Sequence, residues 1–234
     1  MYSYADLSPN QSQNRPTSWQ ISGKNLIFPG TKPGSSIIRP CKFYDYECIG
    51  DILAAGGTCQ LPVQGKLANE YTVDSFHFET QYFNASYIDN GMIVKNHDKC
   101  YVSEFFVNPK TFKVVLTIDC PFMGLESDRT YIQHWTAKED GVFLFHIKST
   151  YPLLRITINF PANMDLCSAS IFTEVTYLPI MHIKPKNKPT AKQLTRDLSH
   201  LYIYERESCF FRGPPIAFIF IDAMICDFGC RIPD

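Results

Sequence analysis

The segments FKVVLTID, residues 112–119, and LRITINF, residues 154–160, alternate apolar and polar side chains. A period of two is the signature of a β-strand with one buried face. Residues 76–82, FHFETQY, repeat the pattern, with Phe76 and Phe78 on the apolar side. Three amphipathic strands, each with one polar face, predict antiparallel rather than parallel β-sheet.

Weaker strand patterns lie between and after these segments. They span residues 101–107, 131–136, 142–147, 171–177 and 201–204. The stretches KEDG, 138–141, and NPKT, 108–111, are typical of turns, and the spacing between strands leaves no room for crossover helices. The basic stretch 184–196, with Lys186, Lys188 and Lys192, is interpreted as a solvated loop.

The C-terminal region has a different pattern. Pro214 and Pro215 are suited to the first turn of a helix, and residues 216–228 are apolar on nearly every side. We therefore expect a helix enclosed by protein. The fold class predicted is α+β, with a strongly curved antiparallel sheet around this long apolar helix.

Composition limits the domain organisation and the partners. Residues 1–36 are rich in Asn, Gln, Ser, Pro and Gly and predict a flexible extension, which leaves one domain over 37–234. The 22 basic and 23 acidic residues nearly cancel, so no charge favours nucleic acid or a membrane surface. The longest apolar run, 216–225, contains Asp222 and is shorter than the roughly 20 residues of a membrane span.

Nine cysteines indicate an oxidising compartment, and their odd number leaves at least one thiol free or joined to another chain. We expect a secreted protein, although residues 1–34 contain no secretion-signal pattern. The motif CKFYDYEC, 41–48, favours a Cys41–Cys48 disulfide over a zinc half-site or free thiols. Asn84 begins an Asn-Ala-Ser sequon and is a candidate glycosylation site.

Catalytic motifs are missing from the sequence. There is no GxSxG, GxGxxG, P-loop or HExxH, and the six histidines are scattered. His97 and Cys100 could form a Cys/His pair, but a solvated turn is the favoured interpretation. We expect no enzyme activity, no cofactor and no metal.

Both ends of the domain resemble a known family. Cys41, Asp45 and Cys48, the segment Gly213-Pro214-Pro215-Ile216 and the ending Arg231-Ile232-Pro233 are similar to motifs of the insect haemolymph juvenile hormone binding protein and takeout family. This resemblance implies a tubular lipid-binding fold of the super-roll type. It also implies a second disulfide, Cys167–Cys209.

The resemblance implies a monomeric, non-enzymatic carrier that holds a hydrophobic small molecule, a terpenoid or fatty acid, in an internal cavity. For each residue named below as a candidate ligand contact, packing in an ordinary hydrophobic core is the alternative interpretation. The second functional hypothesis is a disulfide-linked extracellular interaction module without a cavity, and the third is a cysteine hydrolase using Cys100. The candidate ligand contacts are Phe76, Phe78, Tyr82, Trp135, Phe143, Phe145, Tyr202, Phe218, Ile219 and Met224.

Overall fold

A computed structural model of the chain describes residues 21–22, 25–26, 37–42, 44–59, 63–80, 84–108, 110–111, 113–196 and 198–230. Within these residues the chain forms strands, three helices and a 3-10 turn at His97–Lys99. The elements are β1 (Ile21–Ser22), β2 (Asn25–Leu26), α1 (Tyr46–Gly56), β3 (Glu70–Thr80), β4 (Ala85–Lys95), β5 (Tyr101–Asn108), β6 (Lys113–Gln133), β7 (Gly141–Phe160), β8 (Ser170–Val175), β9 (Ile180–Pro185), α2 (Lys188–Arg196) and α3 (Leu198–Met224).

One seven-stranded antiparallel sheet dominates the fold. Its centre is the long hairpin β6–β7, which pairs from Val114–Phe160 to Gln133–Gly141. One half of this hairpin is flanked by β3–β4 and β9, and the other half by β5 and β8. The prediction of a mostly antiparallel sheet with a few helices is confirmed.

The two halves of the sheet meet at a bend in the hairpin. Pro121, which lacks an amide donor, interrupts β6 and is followed by Phe122 with a positive φ of 53°. The paired residues run from Pro121–Leu153 directly to Met123–Tyr151, so Phe122 is not among the paired positions of β6 and β7. Residues 113–119 and 131–133 therefore belong to one strand, as do 142–147 and 154–160, whereas each had been predicted as a separate strand.

Helix α3 covers the inner face of the sheet. Leu201, Glu205, Cys209 and Arg212 are buried at helical spacing, so Leu201–Tyr204 is helical and the predicted strand at 201–204 is wrong. Tertiary contacts outweigh the β preference of this stretch. The predicted helix start at Pro214 is also wrong, because α3 continues through both prolines.

One further prediction needs correction. The stretch 184–196, interpreted as a solvated loop, contains the end of β9 and helix α2. The side chain of Asn187 accepts a hydrogen bond from the Thr190 amide at 2.8 Å, which is a typical helix N-cap, and Thr190 is buried. Helix α1 begins at Tyr46, where the Asp45 carboxylate caps it by accepting from the Cys48 amide at 3.1 Å.

Of residues 1–36, the structure describes β1 and β2, which pair with each other. The predicted flexible extension otherwise lies outside the described residues. The segment that follows joins the sheet through Ile38, which exchanges two backbone hydrogen bonds with Val107 of β5.

Gly213 sits where α3 crosses β8, and a Cβ atom there would overlap the Thr173 side chain. In an uncontacted helix, Gly→Ala stabilises by about 1 kcal/mol. We predict that Gly213→Ala instead lowers the free energy of unfolding by about 1–3 kcal/mol, because the crossing is overpacked. Urea denaturation measures the change, and Thr173→Ala in the same chain should restore part of it. A stabilised Gly213→Ala variant would contradict this close approach.

Candidate functional site

Four disulfides join eight of the nine cysteines. Cys41 bonds to Cys48, which closes a small loop at the start of α1. Asp45 lies inside this loop and caps the same helix. The motif CxxxDxxC is therefore a local device that fixes one helix N-terminus.

Two other disulfides anchor the segment after α3. Cys226 bonds to Cys59, and Cys230 bonds to Cys167. The predicted pair Cys167–Cys209 is therefore wrong. Backbone bonds from Val63 to Ile225 (2.8 Å) and from Gly65 to Ala223 (2.9 Å) hold the same segment.

The remaining three cysteines, Cys100, Cys120 and Cys209, provide no reactive thiol. Cys100 bonds to Cys120, so a cysteine hydrolase using Cys100 has no nucleophile. The free cysteine is Cys209, and it is buried. Burial and the nearby Glu205 charge raise the pKa of the Cys209 thiol well above its ordinary value. An intermolecular disulfide through Cys209 would require the core to open.

The aromatic candidates for ligand contact pack against one another. Phe78 stacks on Tyr87 with 4.8 Å between ring centroids and on Phe211 with 5.2 Å. The row continues from Tyr87 to Tyr131 and from Tyr131 to Phe143. Such offset and tilted contacts fill the space between sheet and helix.

The other candidates differ in their burial. Phe76, Phe145 and Phe218 are buried in the core, Trp135 is largely exposed, Tyr202 and Ile219 are half-buried, and Tyr82 lies outside the described residues. An open cleft of about 340 Å³ is lined by Met224, but its wall also includes the carboxylates of Asp45 and Glu47. The other described candidates do not line this cleft.

A buried charge cluster joins α3 to the sheet. Arg129 on β6 contacts Asp89 on β4 at 2.7 Å and Glu205 on α3 at 2.6 Å. Arg212 on α3 contacts Asp89 at 2.7 Å and Glu205 at 3.0 Å. Two guanidinium groups and two carboxylates therefore alternate in a closed ring, and their formal charges cancel.

Neutral donors complete this ring. Tyr151 and Ser149 on β7 donate to Glu205 at 2.6 and 3.0 Å, and Ser127 donates to Asp89 at 2.8 Å. Burial lowers the pKa of the Arg129 guanidinium, but the adjacent carboxylates outweigh it and raise this pKa above its ordinary value. Burial and the Glu205 charge raise the pKa of Tyr151 well above 10.0, so it remains a donor.

Sequence reasoning missed this cluster. A signal was present, because Arg129 shares the alternating face of Leu125 and Tyr131, where a charge needs a buried partner. Glu205 and Arg212, seven residues apart on α3, also face one way. Their pairing across the fold could not be read from spacing.

His97 is a second buried polar group. It lies between the rings of Tyr71 and Phe220, with centroids at 5.5 and 6.2 Å. Burial lowers the pKa of His97 from 6.5 to about 4. The interpretation of this residue as part of a solvated turn is wrong, although its neighbours Asp98 and Lys99 are exposed.

Exposed apolar side chains gather at the sheet bend. Phe122 occupies the bend of β6, the Thr176 amide donates to Leu153 in the bend of β7, and Ile180 pairs with Thr150 just beyond it. Phe122 on β6 and the segment 177–180 thus lie at one level of the sheet, on either side of β7. We name these the bend patch: Phe122, Tyr177, Leu178 and Ile180, each between 59% and 63% exposed.

Other site predictions can be placed as follows. Asn84 is exposed in the turn before β4, and its side chain donates to the His134 carbonyl at 2.9 Å. Its glycosylation stays a prediction. Across the part of the chain that the structure describes, no cluster of three metal-binding side chains was found. The helices in those same residues are all too short or too polar to cross a membrane.

Comparison with known proteins gives a different relationship from the one predicted. Residues 37–230 match the family described as Fibroin P25. The chain is 47% identical over 201 residues to Fibrohexamerin from Galleria mellonella, which covers 85% of this chain and 92% of that protein.

These matches overturn part of the sequence interpretation. The predicted kinship with the juvenile hormone binding and takeout family is wrong, because most of the residues that suggested it, including Cys41 and Gly213, lie within the match to another family. The lipid-carrier function and the apolar small-molecule partner, which were predicted from that kinship, are therefore also wrong. The prediction of a secreted protein is confirmed by these relatives and agrees with the four disulfides.

We predict that Arg212→Met lowers the free energy of unfolding by about 3–5 kcal/mol, because it leaves two buried carboxylates facing one guanidinium. The matched control is Arg39→Met, which breaks the exposed ion pair with Glu104 at 3.2 Å. Its cost should stay below about 1 kcal/mol. Urea denaturation with the disulfides intact compares the two variants, and equal losses would contradict a dominant role for the cluster.

The burial of His97 predicts that the stability of the fold depends on pH. Its folded-state pKa of about 4 lies below the ordinary 6.5, so below pH 6.5 the unfolded chain binds a proton that the folded chain excludes. Stability is therefore lost as the pH falls from 6.5 towards 4, by up to about 1.4 kcal/mol per pH unit. His97→Leu should flatten the curve in this window, while His182→Leu, at an exposed position, should leave its slope unchanged. Parallel curves for wild type and His97→Leu would refute this assignment.

Proposed function

Because this chain belongs to the Fibroin P25 family, we propose that it is a secreted, non-enzymatic structural component that assembles with fibroin chains in silk. The observation that carries this proposal is the family match over residues 37–230. The relative from Galleria mellonella, named Fibrohexamerin, supports it at 47% identity. The partner is thus a protein rather than a small apolar molecule.

The cysteines support assembly without covalent links. Eight of them are paired within the chain, and Cys209 is buried at the helix–sheet interface. This refines the second hypothesis from the sequence: the protein is an interaction module whose disulfides stabilise its own fold. Its contacts with fibroin are then non-covalent.

The bend patch is the surface that best suits such a contact. Its four large side chains lie together on a surface that elsewhere carries many ion pairs, such as Lys95–Glu126 and Lys186–Asp128. Exposed apolar patches rimmed by polar groups are typical of protein–protein interaction sites. We therefore propose that the bend patch contacts an uncharged, apolar segment of a fibroin chain.

The finer geometry of the fold is part of the proposal. We propose that the sheet curves around α3, with a filled interior in place of a lipid cavity. Contacts of α3 with successive strands support this curvature, through Phe211 with Phe78 of β3, Arg212 with Asp89 of β4, and Gly213 beside Thr173 of β8. A rigid, filled body suits a structural role, because it presents one fixed surface to its partner.

Co-expression with fibroin chains in insect cells and pull-down from the medium tests the proposal. We predict that Leu178→Ser combined with Ile180→Ser weakens the complex at least tenfold, because each buried large aliphatic side chain contributes about 1.5–3 kcal/mol. The control is Val142→Ser, an exposed apolar position at the far end of the same hairpin, which should bind normally.

Two outcomes would contradict the proposal. Wild-type protein that recovers no fibroin would overturn the function itself. A complex that resists denaturant and separates only on reduction in a gel would overturn non-covalent assembly. Equal binding by wild type and the double variant would contradict only the proposal that the bend patch contacts fibroin.

A further inference from the structure

Three polar side chains meet at the end of the β6–β7 hairpin, on the face of the sheet opposite α3. Ser86 lies on β4 between Ala85 and Tyr87, whose side chains face the core, so alternation directs Ser86 outward. His134 and Asp140 belong to the loop that joins β6 to β7. Ser86 is 5% exposed, whereas the His134 and Asp140 side chains are 36% and 46% exposed.

These side chains are connected in series. The Ser86 Oγ lies 2.7 Å from His134 Nε2, and His134 Nδ1 lies 2.8 Å from Asp140 Oδ2. In neutral imidazole one ring nitrogen donates and the other accepts. The Asp140 carboxylate can only accept from Nδ1, so Nε2 is left to accept the Ser86 hydroxyl proton. Hydroxyl, base and orienting carboxylate stand in the order that activates a serine nucleophile.

The backbone holds this geometry. The His134 amide donates to the Asn84 carbonyl at 2.9 Å, and the Asn84 side chain donates to the His134 carbonyl at 2.9 Å. Gln133 adds a third bond to the Asn84 carbonyl at 3.2 Å. These bonds hold the His134 backbone next to Asn84, which is two residues before Ser86. The position of the imidazole therefore does not depend on the Ser86 hydroxyl alone.

We propose that Ser86 is a nucleophilic serine and a site of covalent acylation, separate from fibroin assembly. The Ser86 Oγ forms a bond to the carbonyl carbon of an activated ester, and its proton passes to His134 Nε2. The C–O bond to the leaving group then breaks, and the departing alcohol takes that proton. The products are acyl-Ser86 and the free alcohol, with no change of oxidation state.

The same structure restricts the reagent to reactive electrophiles. β4 is paired on both sides at Ser86, with Glu79 and with Ile132, so the strand amides around it are used by the sheet. A serine hydrolase needs donors aimed at the developing oxyanion, each contributing about 10²–10³ in rate. Ser86 therefore accepts one acyl or phosphonyl group from compounds with good leaving groups, and the product is stable rather than turned over.

A biotinylated fluorophosphonate added to the purified full chain tests this proposal. We expect one label per chain, located on Ser86 by peptide mass spectrometry, and none there in Ser86→Ala. His134→Gln should slow labelling at least 100-fold, since general-base catalysis contributes about 10²–10⁴. Asp140→Asn should slow it as well, because the imidazole then loses its orienting acceptor.

The matched control is His146→Gln. His146 lies on the same face of the sheet and also contacts two carboxylates, Glu126 at 3.2 Å and Asp128 at 3.0 Å, but the described contacts connect it to no serine. Its loss should leave labelling unchanged. Disulfide mapping and circular dichroism establish that each variant is folded. Absence of label on Ser86 in folded wild type, or labelling of equal rate in His134→Gln, would show that the three residues only hold the hairpin loop in place.

Discussion

The arrangement of helix and sheet depends on the closed ring of charges formed by Asp89, Arg129, Glu205 and Arg212. Four buried charges are costly to desolvate, and they are tolerated because each contacts two opposite charges and because the two carboxylates also accept from hydroxyl donors. This requirement is directional, unlike apolar burial, which would accept several positions of the helix. A slide of α3 by one turn would break both ion pairs that join the helix to the sheet, Arg129–Glu205 and Arg212–Asp89. The ring thus selects one placement of a helix whose last third, from Ile216 to Met224, is apolar on nearly every side.

Around this ring, aromatic packing and disulfides have separate tasks. The row of rings from Phe78 through Tyr87 to Tyr131 fills the space in which a carrier would need a cavity. The guanidinium of Arg129 lies over the Tyr87 ring at 5.5 Å, so the apolar and charged parts of the interior are continuous. The disulfides stabilise other parts of the fold: Cys41–Cys48 closes the loop at the start of α1, and the pairs Cys59–Cys226 and Cys100–Cys120 are buried in the hydrophobic core.

The sequence was informative where structure is local. Alternation at 112–119 and 154–160 predicted strands correctly, because period two depends only on neighbouring residues. It failed at Phe122, where one positive φ lets a strand continue past a proline, and at 201–204, where the packing of α3 against distant strands decides the conformation. The family assignment failed for a related reason. The motif around Asp45 reports a capped and clamped helix end, and such a device is compatible with many interiors. The cluster around Glu205 and the contact of Ser86 with His134 depend on register, which no motif encodes.

The connectivity of the last two disulfides bears on how the protein is made. Cys226 must find Cys59, and Cys230 must find Cys167, across sequence separations of 167 and 63 residues. The first bond cannot form until Cys226 has entered the oxidising compartment, and the second cannot form until Cys230 has entered it. The covalent frame is consequently completed only once Cys230 has been translocated. A partner chain that recognises the finished surface meets this protein only after its synthesis has passed that point, so oxidative maturation sets the earliest time of assembly.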